Sequence, residues 1–157
     1  MNSIEERWAD VSMRIESACR RAKRDPSSVQ VVAVSKTHGP EMVRAACDCG
    51  LTLFGENRVQ EAQAKMPLCP SRAVWHLVGH LQTNKARVAA RLFAMIHSVD
   101  SMKLLTALDE AAGLAGRVLP VCLEVNVAGE ATKFGMAPEM VIPLLREAER
   151  MQRVEIV

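Results

Sequence analysis

Tyrosine is absent from this 157-residue chain, and aromatic residues of all kinds make up only 3% of it. The interior must therefore be filled by Val, Leu, Ala and the nine methionines, which pack as adaptable apolar fillers. No apolar run approaches the roughly 20 residues that a membrane-spanning helix needs. The first ten residues, MNSIEERWAD, are charged where a secretory leader would be apolar. Net charge is only +2, with no concentrated basic run, so neither a nucleic-acid partner nor a membrane surface is indicated. The five cysteines, Cys19, Cys47, Cys49, Cys69 and Cys122, are odd in number and lack framework spacing. Reduced thiols and a cytoplasmic location are the expectation. Cys47-Asp-Cys49 has no second pair to complete a zinc site.

Several signatures of chemistry are missing too. There is no G-x-G-x-x-G after the first apolar run, no phosphate-binding P-loop, no G-x-S-x-G elbow and no H-E-x-x-H. His76 and His80 have the four-residue spacing of a helical metal pair. They fall on an expected strand and its exit, so a metal is not predicted.

What is present alternates. Short apolar runs stand at 31–35, 51–54, 74–78, 94–99, 121–127 and 154–157. Helical patterns lie between several of them. Ser3-Ile-Glu-Glu6 forms a capping box that opens an amphipathic helix with Ile4, Trp8, Val11 and Ile15 on one face, ending near Asp25-Pro26. Trp8 and Ile15 are expected to pack on the protein. A helix over 40–50 starts at Pro40 and ends at Gly50, the asymmetry helices favour. Another is framed by Ser101 and Gly113, and a third spans 138–152, where Pro143 is expected to shorten or kink it. Strand alternating with helix predicts βαβ units and a parallel sheet. The Val/Ile/Leu-rich strands suit burial on both faces. The fold class is α/β, with a doubly wound sheet and a (β/α)₈ barrel as the competing architectures.

The strand ends carry the functional signal. In a parallel barrel they converge at one mouth. Here they read Lys36, then Gly55-Glu56-Asn57, Gly79-His80-Leu81-Gln82-Thr83-Asn84, His97-Ser98-Val99-Asp100 and Glu124-Val125-Asn126. Strand exits are polar in general, and a lysine where a strand meets water is commonly just a solvated cation. A lysine partly withdrawn from water is instead shifted towards its neutral amine, which attacks aldehydes to form a Schiff base. Residue physics alone leaves both readings of Lys36 open.

The segments VVAVSKTH, LFGENRVQEAQAKMP, WHLVGHLQTNKAR, IHSVDSMKLL and LEVNVAGEATKFGM resemble, in that order, the pyridoxal phosphate homeostasis proteins. F-G-E-N-x-x-Q-E-A and G-x-L-Q-x-N-K are more specific than the isolated V-S-K, and the resemblance runs over essentially the whole chain. It implies a barrel like the N-terminal domain of alanine racemase, with pyridoxal 5′-phosphate (PLP) as cofactor and Lys36 as its Schiff-base lysine. Asn57 and Asn126 would lie near the cofactor and residues 79–85 would form the adjoining loop. The implied role is PLP binding and buffering, with PLP-requiring apoenzymes as possible recipients and no established catalytic reaction. A racemase-like PLP enzyme and a product that does not retain cofactor are the alternatives. A complete (β/α)₈ barrel has eight strands and about 250 residues. The six strands expected here give a partial barrel with an extra N-terminal helix, one PLP-binding domain over 1–157 that is incomplete at its C-terminal end. The later strands' phosphate-binding loops would be missing, and loose PLP retention is expected.

Overall fold

The computed structural model describes residues 3–157. Its six strands are β1 (Ala33–Val34), β2 (Leu53–Glu56), β3 (Val74–Leu77), β4 (Met95–Val99), β5 (Leu119–Leu123) and β6 (Val154–Ile156). They form one sheet in the order β1-β2-β3-β4-β5-β6, each pair parallel. A doubly wound sheet reverses its strand order at a switch point. This sheet never reverses, so the architecture is the partial barrel.

The helices are α1 (Ile4–Arg21), α2 (Pro40–Asp48), α3 (Val59–Lys65), α4 (Ala86–Leu92), α5 (Met102–Leu114) and α6 (Val141–Ala148). The Ser3 hydroxyl accepts from the Glu6 N–H, and the Glu6 carboxylate accepts from the Ser3 N–H, completing the expected capping box. Trp8 and Ile15 are half-buried, as expected of residues packed on the protein. The helix itself stops at Arg21, four residues before Asp25, and Pro26–Ser28 form a separate 3₁₀ turn.

Other boundaries depart from expectation as well, among them the strand expected at 121–127, which runs over Leu119–Leu123. Gly113 lies inside α5; the turn out of that helix uses Gly116 at φ +68°, the left-handed conformation that glycine tolerates. Residues 138–152 split into a 3₁₀ turn over Pro138–Met140 and α6. Pro143 is the third residue of α6, where the missing N–H would have had no intrahelical partner, so it is tolerated without breaking the helix. The strand β1 is only two residues long, although the Ser35 N–H still bonds the Gly55 carbonyl of β2.

Register sorts the side chains into two layers. Ala33, Phe54 and Trp75 are partners across β1–β3, as are Val34, Gly55, His76 and Met95 across β1–β4. Partners in a parallel ladder share a face, and neighbours along a strand alternate. The first layer meets the helices: Phe54, Leu77, Ile96 and Val121 are buried with Val43, Leu104, Leu105 and Leu108, and the Phe54 and Trp75 rings lie 5.5 Å apart. The second layer lines the barrel interior. It opens to solvent at β1 and at the base of β3, where Val34 and Val74 are 48% and 43% exposed. Asp109 of α5 accepts from the N–H groups of Gln152, Arg153 and Val154 at 2.7–3.1 Å and so fixes the entry into β6.

Candidate functional site at the C-terminal rim

The chain leaves β1 through Ser35-Lys36-Thr37, and the Ser35 N–H still bonds the Gly55 carbonyl at 2.9 Å. Lys36 therefore stands just past the C-terminal end of β1, two positions beyond Val34 on the interior register. It is exposed. Withdrawal of its amine from water, considered above, is not provided by the described residues around it. Thr37 has φ +65°, a left-handed conformation that costs a non-glycine residue about 1–3 kcal/mol unless its surroundings impose it.

The surroundings do impose it. Glu56, the last residue of β2, is fully buried, and its Oε1 accepts from the Ser35 hydroxyl at 2.6 Å and from Lys65 Nζ at 2.7 Å. Lys65, only 7% exposed at the end of α3, also donates to the Ser35 carbonyl at 2.9 Å and lies 3.5 Å from Glu61 Oε1. Glu61 Oε1 in turn accepts from the Thr37 N–H at 3.0 Å. That bond, ahead of the smaller contribution of Lys65, holds the Glu61 carboxyl below its ordinary range.

Asn57 follows β2 directly, and the chain leaving β3 is pressed against it. A Cβ at Gly79 would fall on the Asn57 carbonyl oxygen and within 2.7 Å of its Cα. The Gly79 carbonyl accepts from the Ser98 hydroxyl at 2.7 Å, which ties β3 to β4 at the same level. Gly79→Ala is expected to cost about 1–3 kcal/mol, as overpacking against backbone does. A chemical denaturation midpoint equal to wild type would show that the two exits can separate freely. Residues 80–82 and Lys85 line a cavity of about 420 Å³ together with Asn57 and Arg58, so the 79–85 segment does adjoin Asn57.

The far side of the rim is acidic and aromatic. His80 Nδ1 lies 3.2 Å from Asp100 Oδ2, and the Phe134 ring stacks on the His80 ring at 3.8 Å and 8°. Glu124, just after β5, keeps one buried carboxylate oxygen, Oε2, with no hydrogen-bond partner among the described residues. Burial, then the neighbouring Asp100 charge, pushes its carboxyl up, with His80 opposing. Asn126 donates through its side-chain amide to the Glu130 carbonyl at 2.9 Å and helps line a cavity of about 440 Å³ with Gly129 and Gly135. Lys36, Asn57 and Asn126 thus follow the C-terminal ends of β1, β2 and β5 on one rim. The two asparagines line different cavities.

His76 and His80 part company. His76 points into the barrel, where its Nδ1 meets His97 Nε2 at 2.9 Å, while His80 belongs to the rim. Among the described residues no group of three or more His, Cys, Asp or Glu is placed to hold a metal, and all five cysteines are free. Burial lowers both interior histidines below their ordinary range, His76 further through His97. A histidine held neutral in the fold supports stability fully above its unfolded pKa of about 6.5, and that support is lost as pH falls towards the depressed folded value. The urea midpoint is therefore expected to drop between pH 7.5 and 5.5, and less so in His76→Gln. An identical drop in both proteins would rule the pair out as its cause.

A separate cavity of about 520 Å³, lined by Trp8, Val31, Thr52, Leu53, Val74 and His76, opens at the N-terminal ends of the strands. In parallel barrels that end serves stability, and chemistry sits at the other. Glu56 and Asp100 were legible as polar strand ends, whereas no pattern in the sequence marked Lys65 or Phe134.

Comparison with known proteins agrees with this geometry. The family model described as "Alanine racemase, N-terminal domain" matches residues 12–157. The "Pyridoxal phosphate homeostasis protein" of Pseudomonas aeruginosa is 45% identical over 94% of this chain and 64% of its own length. That of Aquifex aeolicus is 37% identical over 99% of this chain and 68% of its own. The chain thus spans about two thirds of the length of these relatives. A structure of PipY from Synechococcus elongatus with PLP bound is 41% identical, covers 90% of this chain and 66% of that one, and superposes with a TM-score of 0.76.

Proposed function

The chain belongs to the alanine racemase N-terminal domain family and, within it, to the pyridoxal phosphate homeostasis proteins, and from that membership we propose that it binds PLP at Lys36. The binding serves PLP homeostasis in the cytoplasm, with PLP-requiring apoenzymes as recipients. A single PLP-binding domain over 1–157 is part of the same reading.

The observation that supports it is the placement of Lys36: an accessible primary amine on the interior register of the barrel, at the rim where the exits of β2 and β5 also bring Asn57 and Asn126. The rim suits a polar ligand on one further count: Glu124 Oε2 is a buried polar atom for which the described residues supply no partner. PLP supplies an aldehyde that condenses with an amine, releasing water. The chain's own contribution is to hold the amine of Lys36 at the mouth by fixing its backbone, while Asn57 and Asn126 offer amide groups at other points of the same rim. Among the described residues no helix is long and apolar enough to cross a membrane, which is compatible with the cytoplasmic setting.

Titrating the 157-residue chain with PLP and following visible absorbance tests the reading. A saturable change reaching one equivalent per chain is expected. A signal that rises linearly without saturation, as scattered surface lysines would give, refutes it.

A racemase-like enzyme is the second reading, favoured by one observation. Glu124, with its carboxyl pushed up by burial and then by the neighbouring Asp100 charge, stands beside the His80–Asp100 pair, a grouping of titratable side chains of the kind that proton transfer uses. Time-dependent loss of optical rotation from a single-enantiomer amino acid, abolished in Glu124→Gln, would establish it over simple binding.

A further inference from the structure

Lys36 is flanked by two peptide groups, and both are gripped from outside β1. The carbonyl of the peptide before it, Ser35 C=O, accepts from Lys65 Nζ at 2.9 Å. The N–H of the peptide after it, on Thr37, donates to Glu61 Oε1 at 3.0 Å. The two grips are joined, since Lys65 Nζ lies 3.5 Å from that same Glu61 oxygen and 2.7 Å from buried Glu56 Oε1. Between them Thr37 is held at φ +65°, a conformation a threonine does not adopt unforced. The Lys36 side chain takes no part in the network and stays exposed.

We propose that Glu61 and Lys65 are positioning residues for Lys36, a two-sided clamp on its backbone that presents its amine to the barrel mouth. The proposal rests on the reading that Lys36 is where PLP attaches. A purely structural role accounts for less. An ion pair withdrawn from water is no more stabilising than well-packed apolar side chains of the same volume, so stability alone does not call for charges here. Strained backbone at a strand exit points instead to a conformation imposed for use. Glu61 is the member to probe, because it reaches the turn from the partly exposed side of the network and its loss leaves the buried Glu56–Lys65 pair in place.

The experiment compares the wild-type chain with Glu61→Ala, Glu61→Gln and Thr37→Gly. Hydrogen exchange at the Thr37 amide is measured without PLP. The initial rate of borohydride-trapped PLP incorporation at Lys36 is then divided by that at Lys103, an exposed lysine on α5, and thermal midpoints control for folding. Glu61→Ala is expected to speed Thr37 exchange and to lower the Lys36:Lys103 ratio about tenfold, the effect of losing one charge-assisted hydrogen bond. Its thermal midpoint should fall by no more than the few degrees that one hydrogen bond is worth in a domain of this size. Glu61→Gln keeps an acceptor oxygen and should restore most of the ratio. Thr37→Gly accepts the left-handed turn without strain but frees many others, so it too should lower the ratio; it decides the matter should Glu61→Ala fail to fold. An unchanged ratio in Glu61→Ala, or in Thr37→Gly where that variant decides, overturns the clamp. Failure of Glu61→Gln to recover the ratio overturns the grip through the Thr37 N–H. A wild-type ratio near one has a different meaning: PLP does not select Lys36, the binding reading itself fails, and the clamp has nothing to present.

Discussion

Lys65→Met is expected to lower the unfolding free energy by about 3–5 kcal/mol, the cost of removing one partner from a buried ion pair. Glu56 is fully buried and Lys65 is 7% exposed, with 2.7 Å between Oε1 and Nζ. Without the ammonium, the Glu56 carboxylate keeps only the Ser35 hydroxyl as a donor among the described residues, none of which partners its Oε2 even in the native chain. The Ser35 carbonyl loses one of its two donors as well, keeping only the His38 N–H at 3.1 Å. For a domain of this size the loss corresponds to roughly 10 °C in thermal midpoint. Glu56→Gln combined with Lys65→Met should recover more than half of it. The neutral amide removes the unpaired charge while keeping an acceptor for Ser35. The measurement is the urea midpoint at constant m-value. A loss below about 1 kcal/mol in the single variant, the range of solvent-exposed pairs, would mean that water reaches the pair in solution.

Lys36→Ala is expected to eliminate saturable PLP binding, and Lys36→Arg to eliminate it equally. Arginine keeps the positive charge and hydrogen-bonding capacity of the position, but its guanidinium does not deprotonate in proteins and does not condense with aldehydes. The pair of variants thus separates covalent attachment from electrostatic attraction of an anionic ligand. Since Lys36 is exposed and makes none of the contacts of the Glu56–Lys65 network, neither variant should move the thermal midpoint of the ligand-free chain by more than about 1–2 °C, as is usual for surface substitutions. PLP retained by gel filtration at the wild-type level in Lys36→Arg would show that charge, not condensation, holds the ligand.

Much of this was legible in the amino-acid sequence, and what was not has physical causes. The alternation of apolar runs with capped helical patterns led to the parallel sheet, and reading each strand to its polar end placed Lys36, Asn57 and Asn126 on one rim. The seven-residue helices α3 and α4 span only two turns, too few for a 3.6-residue period to stand out. Lys65 reads along the chain as a favourable cation in the last turn of a helix; only the packing of α3 on β2 turns it inward, towards a carboxylate nine residues earlier. The Thr37 turn was equally hidden, because threonine carries no preference for a positive φ and the carboxylate that accepts from its N–H, Glu61, lies 24 residues away. Glu124 was legible as a strand end, whereas the buried, unpartnered state of its Oε2 depends on neighbours from β3 and β4.

The decisive measurement is a peptide map. The wild-type chain, equilibrated with substoichiometric PLP, is reduced with borohydride and digested, and the phosphopyridoxyl label is located by mass spectrometry. Concentration of the label on the peptide containing Lys36, well above any of the other lysines, is the expected result. Label distributed over the lysines in proportion to their exposure, with no excess at Lys36, would contradict the assignment of the rim as the PLP site.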